Sequence, residues 1–184
     1  RIRKIATGLD LPLDGVEIVD PRHDNEAERR NRYAEILTEK LQRDGYTFEE
    51  ANDKMYEHNY FGMMMVETEE ADAFITGLYT KYSNTTKVAR DVIGIRPGLG
   101  SFGTMHIINS SKGTFYIADT MINSDPDTQQ LVDLTRLSCK AVSFFNEKPV
   151  IALVSHSNFG SDSSDGSRKV RNAVAQLQRE SPGM

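Results

Sequence analysis

The sequence has one cysteine, Cys139, no tryptophan, six prolines among 184 residues and no uninterrupted apolar run near the ~20 residues that cross a bilayer. A single thiol excludes an internal disulfide framework. Positive charge is also scarce, since 22 Lys and Arg stand against 27 Asp and Glu for a net charge of −5. Binding nucleic acid through a basic surface requires clustered cations to displace counterions from phosphates, so that class is excluded. The basic start Arg1-Ile2-Arg3-Lys4 is followed by no apolar stretch like that of a signal peptide. A cytoplasmic protein with no membrane partner is expected. His23, His58, His106 and His156 show no ligand spacing with one another or with Cys139, so no metal site is expected.

What is present can build a core: hydrophobic residues make up 38% and charged residues 27%. This length suits one domain or two small lobes, burying roughly 70% of the surface of the unfolded chain. Arg1 in place of Met, and turn chemistry at Glu180-Ser181-Pro182-Gly183-Met184, suggest a fragment of a longer polypeptide.

Periodicity divides the chain. Gly15 to Pro21 alternates like a short strand ending at Asp-Pro, and Asp24 to Arg43 carries Ala27, Tyr33, Ile36, Leu37 and Leu41 at helical spacing before Gly45. Thr47-Phe48-Glu49-Glu50 has the form of a capping box, opening a second helix that runs to about His58, and Asn59 is placed to cap a third through Val66. Ala71 to Gly77 reads as a buried strand. Asn84 to Ile93 reads as a helix with Val88, Val92 and Ile93 inward. Two strand-like runs, Met105 to Ile108 and Thr114 to Ala118, flank a glycine-containing loop and predict a hairpin. Asp125 and Pro126 suit the start of a helix whose inner stripe is Leu131, Leu134, Ser138, Val142 and Phe145. Pro149 to Val154 reads as a strand buried on both faces, and Ser167 to Arg179 as a last helix. The alternation is that of an α/β fold interrupted by one hairpin.

Few motifs carry chemistry. Gly98-Leu99-Gly100-Ser101-Phe102-Gly103 matches a dinucleotide-turn pattern, but a helix precedes it and a strand follows, so no helix N-terminus would meet the phosphate. Ser155-His156-Ser157-Asn158-Phe159-Gly160-Ser161, between a strand end and a helix start, offers hydroxyls and backbone N–H groups to a phosphate or carbonyl oxygen. The competing reading is an ordinary loop in which Asp162 and Asp165 repel an anion. Thr76-Gly77-Leu78-Tyr79-Thr80-Lys81-Tyr82-Ser83 leads into a helix carrying Lys87 and Arg90, an arrangement that could hold an acyl phosphate or a CoA phosphate unless those cations are merely solvated. Met63-Met64-Met65 reads as core filling and Arg29-Arg30-Asn31-Arg32 as a solvated helix face. Cys139 lacks evident activating neighbours, and no Ser-His-Asp set is assignable.

Five segments resemble the phosphate acetyl/butyryl transferase family in order and spacing: Asp14 to Pro21, Asn59 to Val66, Ala71 to Gly77, Ile117 to Thr120 and Val154 to Gly160. Gly77 to Ser83 and Ser157 to Gly160 look most like the phosphotransacetylase-like C-terminal domain of bacterial NADP-dependent malic enzymes. The resemblance implies a three-layer α/β/α fold of the isocitrate/isopropylmalate dehydrogenase kind, with two lobes and a mixed sheet. The lobes are expected at residues 1–97, lacking the family's first strands, and 98–184, truncated at the C-terminus. Active members move an acetyl group between acetyl phosphate and CoA, using arginines on the phosphate, a base for the thiol and donors for the carbonyl oxygen.

This sequence departs from that set. Lys87 stands where active members carry an arginine, Lys40-Leu41 where they carry a leucine-arginine pair, and their aspartate-leucine-serine-arginine run has no counterpart before Met184. Lysine keeps the charge but loses the bidentate fork. The resemblance therefore implies an acetyl-CoA-binding regulatory and oligomerising domain, inactive alone, joined in one polypeptide to catalytic domains that oxidatively decarboxylate malate to pyruvate with NADP and Mg or Mn. Its acyl-CoA or phosphate site would comprise Thr76, Gly77, Tyr79, Ser83, Lys87, Ser155, Ser157, Asn158, Gly160 and Ser161. The alternatives are a working phosphate acetyltransferase and a structural assembly domain with a dead cleft, and the resemblance implies a homo-oligomer, with the hairpin edge of the second lobe as its pairing surface. An acidic protein that binds an anionic acyl-CoA must concentrate positive potential locally, and Lys81, Lys87, Arg90 and Lys169 are the expected places.

Overall fold

The computed structural model describes residues 1–78, 80–158 and 161–183. Its elements form two compact units, Arg1–Gly94 and Ile95–Met184. Among the described residues no helix is long and apolar enough to cross a membrane.

The first unit is helical. It contains α1 (Ile2–Gly8), α2 (Ala27–Leu41), α3 (Phe48–Lys54), α4 (His58–Glu67) and α5 (Tyr82–Val92), with short 3-10 turns at Asp24–Glu26 and Gln42–Asp44. Tyr33, Leu37 and Leu41 recur at helical spacing along α2, and this stripe packs with Ala51, Met55, Phe61, Met63, Met64, Val88 and Val92 into one core. Tyr33 meets Phe61 edge-on at 5.1 Å between ring centroids. Gly45 adopts φ +83° after the second 3-10 turn, a left-handed stop that a side chain would strain. Thr47 then opens α3 with the expected reciprocal capping box to Glu50. Met63 and Met64 are core filling, as their sequence pattern suggests.

The second unit contains the hairpin β1 (Met105–Ser110) and β2 (Gly113–Ala118), followed by α6 (Thr128–Phe144) and α7 (Asp165–Glu180). The strands pair antiparallel from Met105 opposite Ala118 to Ser110 opposite Gly113. Val132 of α6 packs with Ala173 and Leu177 of α7, joined by Leu131 and Leu153. This core is small beside that of the first unit.

Several local expectations are corrected. The runs at 15–21, 71–77 and 149–154 join no ladder, and the hydrogen-bonded sheet of the described residues is β1–β2. A strand persists only where neighbours take its backbone groups, and without them apolar side chains stand in solvent. Ile75 is 95% exposed and Val150 94%, the opposite of the buried strands that hydrophobicity suggested. Asn59 does not cap α4, which starts one residue earlier with Glu57 at the cap position. Asp127, not Asp125, caps α6, because Gln130 lies three residues on and completes a second capping box. Ile93 and Phe145 are exposed because each falls just past its helix's last turn, where the inward stripe ends. The sequence also hides α1.

Arg30 is the sharpest reversal. It is not on a solvated face but buried, donating through Nη1 to the carbonyls of Pro21 at 2.7 Å and His23 at 2.8 Å, with its guanidinium 4.4 Å from the Tyr56 ring. Planar charge over an aromatic face, with two carbonyls accepting from it, makes burial tolerable without a carboxylate.

Candidate functional site

The segment 76–83 is tied down by α4 and α5. Asn59 lies in the first turn of α4 and is 8% exposed. Its Oδ1 accepts from the Thr76 hydroxyl at 2.8 Å, and its Nδ2 donates to Thr80 Oγ1 at 3.3 Å. The Thr80 and Thr85 hydroxyls are 2.9 Å apart, which carries the network into α5. Gly77 has φ +140°, a conformation open to glycine and strained for other residues. Ser83 is exposed in the first turn of α5, where its carbonyl accepts from the Thr86 hydroxyl at 3.0 Å. Tyr79 lies outside the described residues.

Lys87 points elsewhere. Its Nζ is 3.5 Å from the Tyr46 hydroxyl and 3.9 Å from Asp91 Oδ2, and Asp91 accepts from the Tyr60 hydroxyl at 2.6 Å. Burial and this carboxylate hold the Tyr60 hydroxyl firmly protonated. The expected cation is therefore already partly balanced by an acid one turn away. Lys40 donates to the Val92 carbonyl at 2.7 Å and pairs with Glu67. Its work is to close the C-terminus of α5. Lys81 and Arg90 are exposed, with no acidic partner among the described residues.

In the second unit the hydroxyls of Ser155 and Ser157 are 3.1 Å apart, and the Ser157 N–H donates to Ser155 Oγ at 3.3 Å. The Asn158 carbonyl accepts from the Ser161 N–H at 3.0 Å, while Phe159 and Gly160 lie outside the described residues. The start of α7 is filled from within. Asp162 Oδ2 accepts from the Ser164 N–H at 3.1 Å, from the Ser164 hydroxyl and from the Ser167 hydroxyl at 2.9 Å, and lies 3.1 Å from His156 Nε2. The two serine hydroxyls, with the Ser164 N–H and His156 adding to them, hold the Asp162 carboxyl at about 2. Groups that could greet a phosphate thus face a resident carboxylate. Lys169, also expected to supply potential, pairs with Asp125.

A separate polar knot sits at the hairpin's exit. Burial alone would raise the pKa of Asp119, but Thr104 and Asn123 donate from both backbone and side chain at 2.7 to 2.9 Å and hold its carboxyl at about 2. This knot faces a groove of about 920 Å³ between the hairpin, α6 and residues 147–154. Cys139 lines that groove, but burial pushes its thiol up and leaves it protonated, a poor nucleophile. Among the described residues no group of three or more His, Cys, Asp or Glu is placed to hold a metal ion.

The site residues read from sequence thus separate into a fixed loop around Thr76 and Gly77, an internally balanced Lys87, and a serine loop next to Asp162. Sequence reasoning missed Asn59 as the loop's anchor. Its only visible signal was a polar residue before an aromatic run, which reads as a cap.

Comparison with known proteins places the chain. It is 34% identical over 186 residues to the NADP-dependent malic enzyme of Escherichia coli K12, an alignment covering 99% of this chain and 24% of that protein. It is 31% identical over 180 residues to the phosphate acetyltransferase of Acetivibrio thermocellus, covering 94% of this chain and 53% of that protein. The solved EutD phosphotransacetylase from Staphylococcus aureus superposes with a TM-score of 0.75 at 26% identity, over 98% of this chain and 54% of its own. The chain therefore spans about a quarter of that malic enzyme's length and about half of those transferases, within the α/β fold of the phosphotransacetylases. With the match running from residue 1 to residue 184, the chain belongs to the phosphate acetyl/butaryl transferase family.

Proposed function

We propose that this chain is the phosphotransacetylase-like region of an NADP-dependent malic enzyme and that it binds acetyl-CoA to regulate the malate-decarboxylating domains and to hold an oligomer together. The observation that carries the choice over an active transferase is the carboxylate of Asp162, which takes the hydroxyl and N–H donors at the start of α7. A transferase must hold the phosphoryl oxygens of acetyl phosphate, and a fixed negative charge there opposes them. A thioester carbonyl carries no such charge. Within the first unit, the described part of the loop at 76–83 keeps its hydroxyls, Gly77 and Lys81, which suit an anionic acyl-CoA.

NADP and the divalent metal belong, on this reading, to the domains of the parent polypeptide. The part of this chain is to bind the acyl-CoA, orient its thioester and pass a conformational bias to the rest of the protein.

Titrating acetyl-CoA calorimetrically into the full-length protein tests the reading. Saturable heat, with altered malate-dependent NADP reduction at saturation, is the expected result. No heat and no thermal shift would overturn it. A parallel assay of CoA acetylation from acetyl phosphate is expected to stay at background, and clear turnover would establish the transferase reading instead.

A further inference from the structure

Asn59 is a buried amide whose two ends are both engaged by one loop. Its carbonyl oxygen receives the hydroxyl of Thr76, before Gly77, and its NH2 group reaches the hydroxyl of Thr80, three residues after that glycine. Thr80 in turn meets Thr85 on α5. Of the described residues between the anchor points, Gly77 stands at φ +140° and Leu78 is 89% exposed, so neither is held by apolar packing. Side-chain hydrogen bonds from Asn59 tie Thr76 and Thr80 to one residue of α4.

We infer that Asn59 is a positioning residue for acyl-CoA: it fixes Thr76 and Thr80 so that their hydroxyls and the Gly77 backbone meet the ligand in one conformation. This inference rests on the acetyl-CoA reading above and deepens it. The amide is suited to the task because it donates and accepts at once and carries no charge, so it fixes two hydroxyls without repelling an anion. A carboxylate of the same shape would accept from both threonines but set a negative charge beneath the turn. An aliphatic residue would leave the turn to wander, and ordering it would then be charged against binding.

The test uses acetyl-CoA and the full-length protein, with affinity measured calorimetrically well below the thermal midpoint of each variant. Asn59→Ala and Asn59→Asp are each expected to weaken binding at least ten-fold. Met63→Ala opens a cavity in the same helix without touching the turn, so it should lower the midpoint yet change the dissociation constant less than two-fold. Thr85→Val, which releases the outer anchor from α5 without opening the core, should weaken binding at least three-fold and serves if the Asn59 variants fold poorly. Parental affinity in Asn59→Ala or, where that variant is unfolded, in Thr85→Val would overturn the inference and leave the acetyl-CoA reading standing. Weakening by Met63→Ala equal to that by Asn59→Ala would also overturn it, since the effect would then follow stability alone. No binding by the parent protein would overturn both.

Discussion

Asp119 joins the strand β2 to the loop that leads into α6, and it does so with a charge. Thr104 on one side and Asn123 on the other donate to both carboxylate oxygens, so the ionised form is favoured in the folded state and not in the unfolded chain. A folded pKa of about 2 against an ordinary 3.8 gives stability that is complete above pH 4 to 5 and is lost as pH falls from about 4 towards 2. With solvent screening of this partly exposed carboxylate the amount is about 1 kcal/mol. Acid titration of stability should show this loss, and Asp119→Ala should remove it along with the donors' partner, lowering stability at pH 7 by about 2 kcal/mol and flattening the curve between pH 2 and 4. Arg30 makes the same point with the opposite charge. Its two carbonyl acceptors and Tyr56 leave no room for a solvated terminus, so Arg30→Met should cost about 1–3 kcal/mol in chemical denaturation by orphaning the Pro21 and His23 carbonyls.

At the scale of elements, what was legible from sequence depended on whether the signal was local. Thr47 and Glu50 lie three residues apart and find one another inside a single turn, so the start of α3 is readable without the fold. Thr47→Ala should destabilise by about 1 kcal/mol, seen as a lower denaturation midpoint with an unchanged slope. The hairpin was readable for the same reason. Asn59 was misread because an asparagine before an aromatic run satisfies a local rule, whereas its real partners, Thr76 and Thr80, are 17 and 21 residues away. The glycine of α4 is a long-range feature as well. A Cβ on Gly62 would stand 2.2 Å from the Phe74 ring, so Gly62→Ala should lower the midpoint although alanine favours helix, by about 1–3 kcal/mol from overpacking.

For the molecule as a whole, the unequal cores decide where it opens first. Among the described residues the first unit's core cluster holds twelve buried residues and the second unit's three, so hydrogen exchange should be fastest in the second, with α2 and α4 the most protected helices. Leu37→Ala, fully buried in α2, should cost about 2–5 kcal/mol. The unpaired apolar runs carry the converse expectation. Val150 and Val154 are 94% and 85% exposed, and replacing both with threonine should reduce self-association measured by light scattering without lowering the midpoint. A stability loss of 1 kcal/mol or more would mean that these residues are packed.

By itself the sequence determined the helices with strong periodicity, the hairpin, the α3 cap and the family, because each rests on residue types at short spacings or on the order of motifs along the chain. Tertiary structure alone decided which polar groups were already satisfied. Lys87 looks like an anion-binding cation until Asp91 and Tyr46 are placed beside it, and Asp162, legible in sequence as an acid near the serine loop, is seen only in the fold to take the Ser164 and Ser167 donors at the start of α7. The physical reason is that a side chain's availability is set by what it touches, and only folding brings those partners within hydrogen-bond reach.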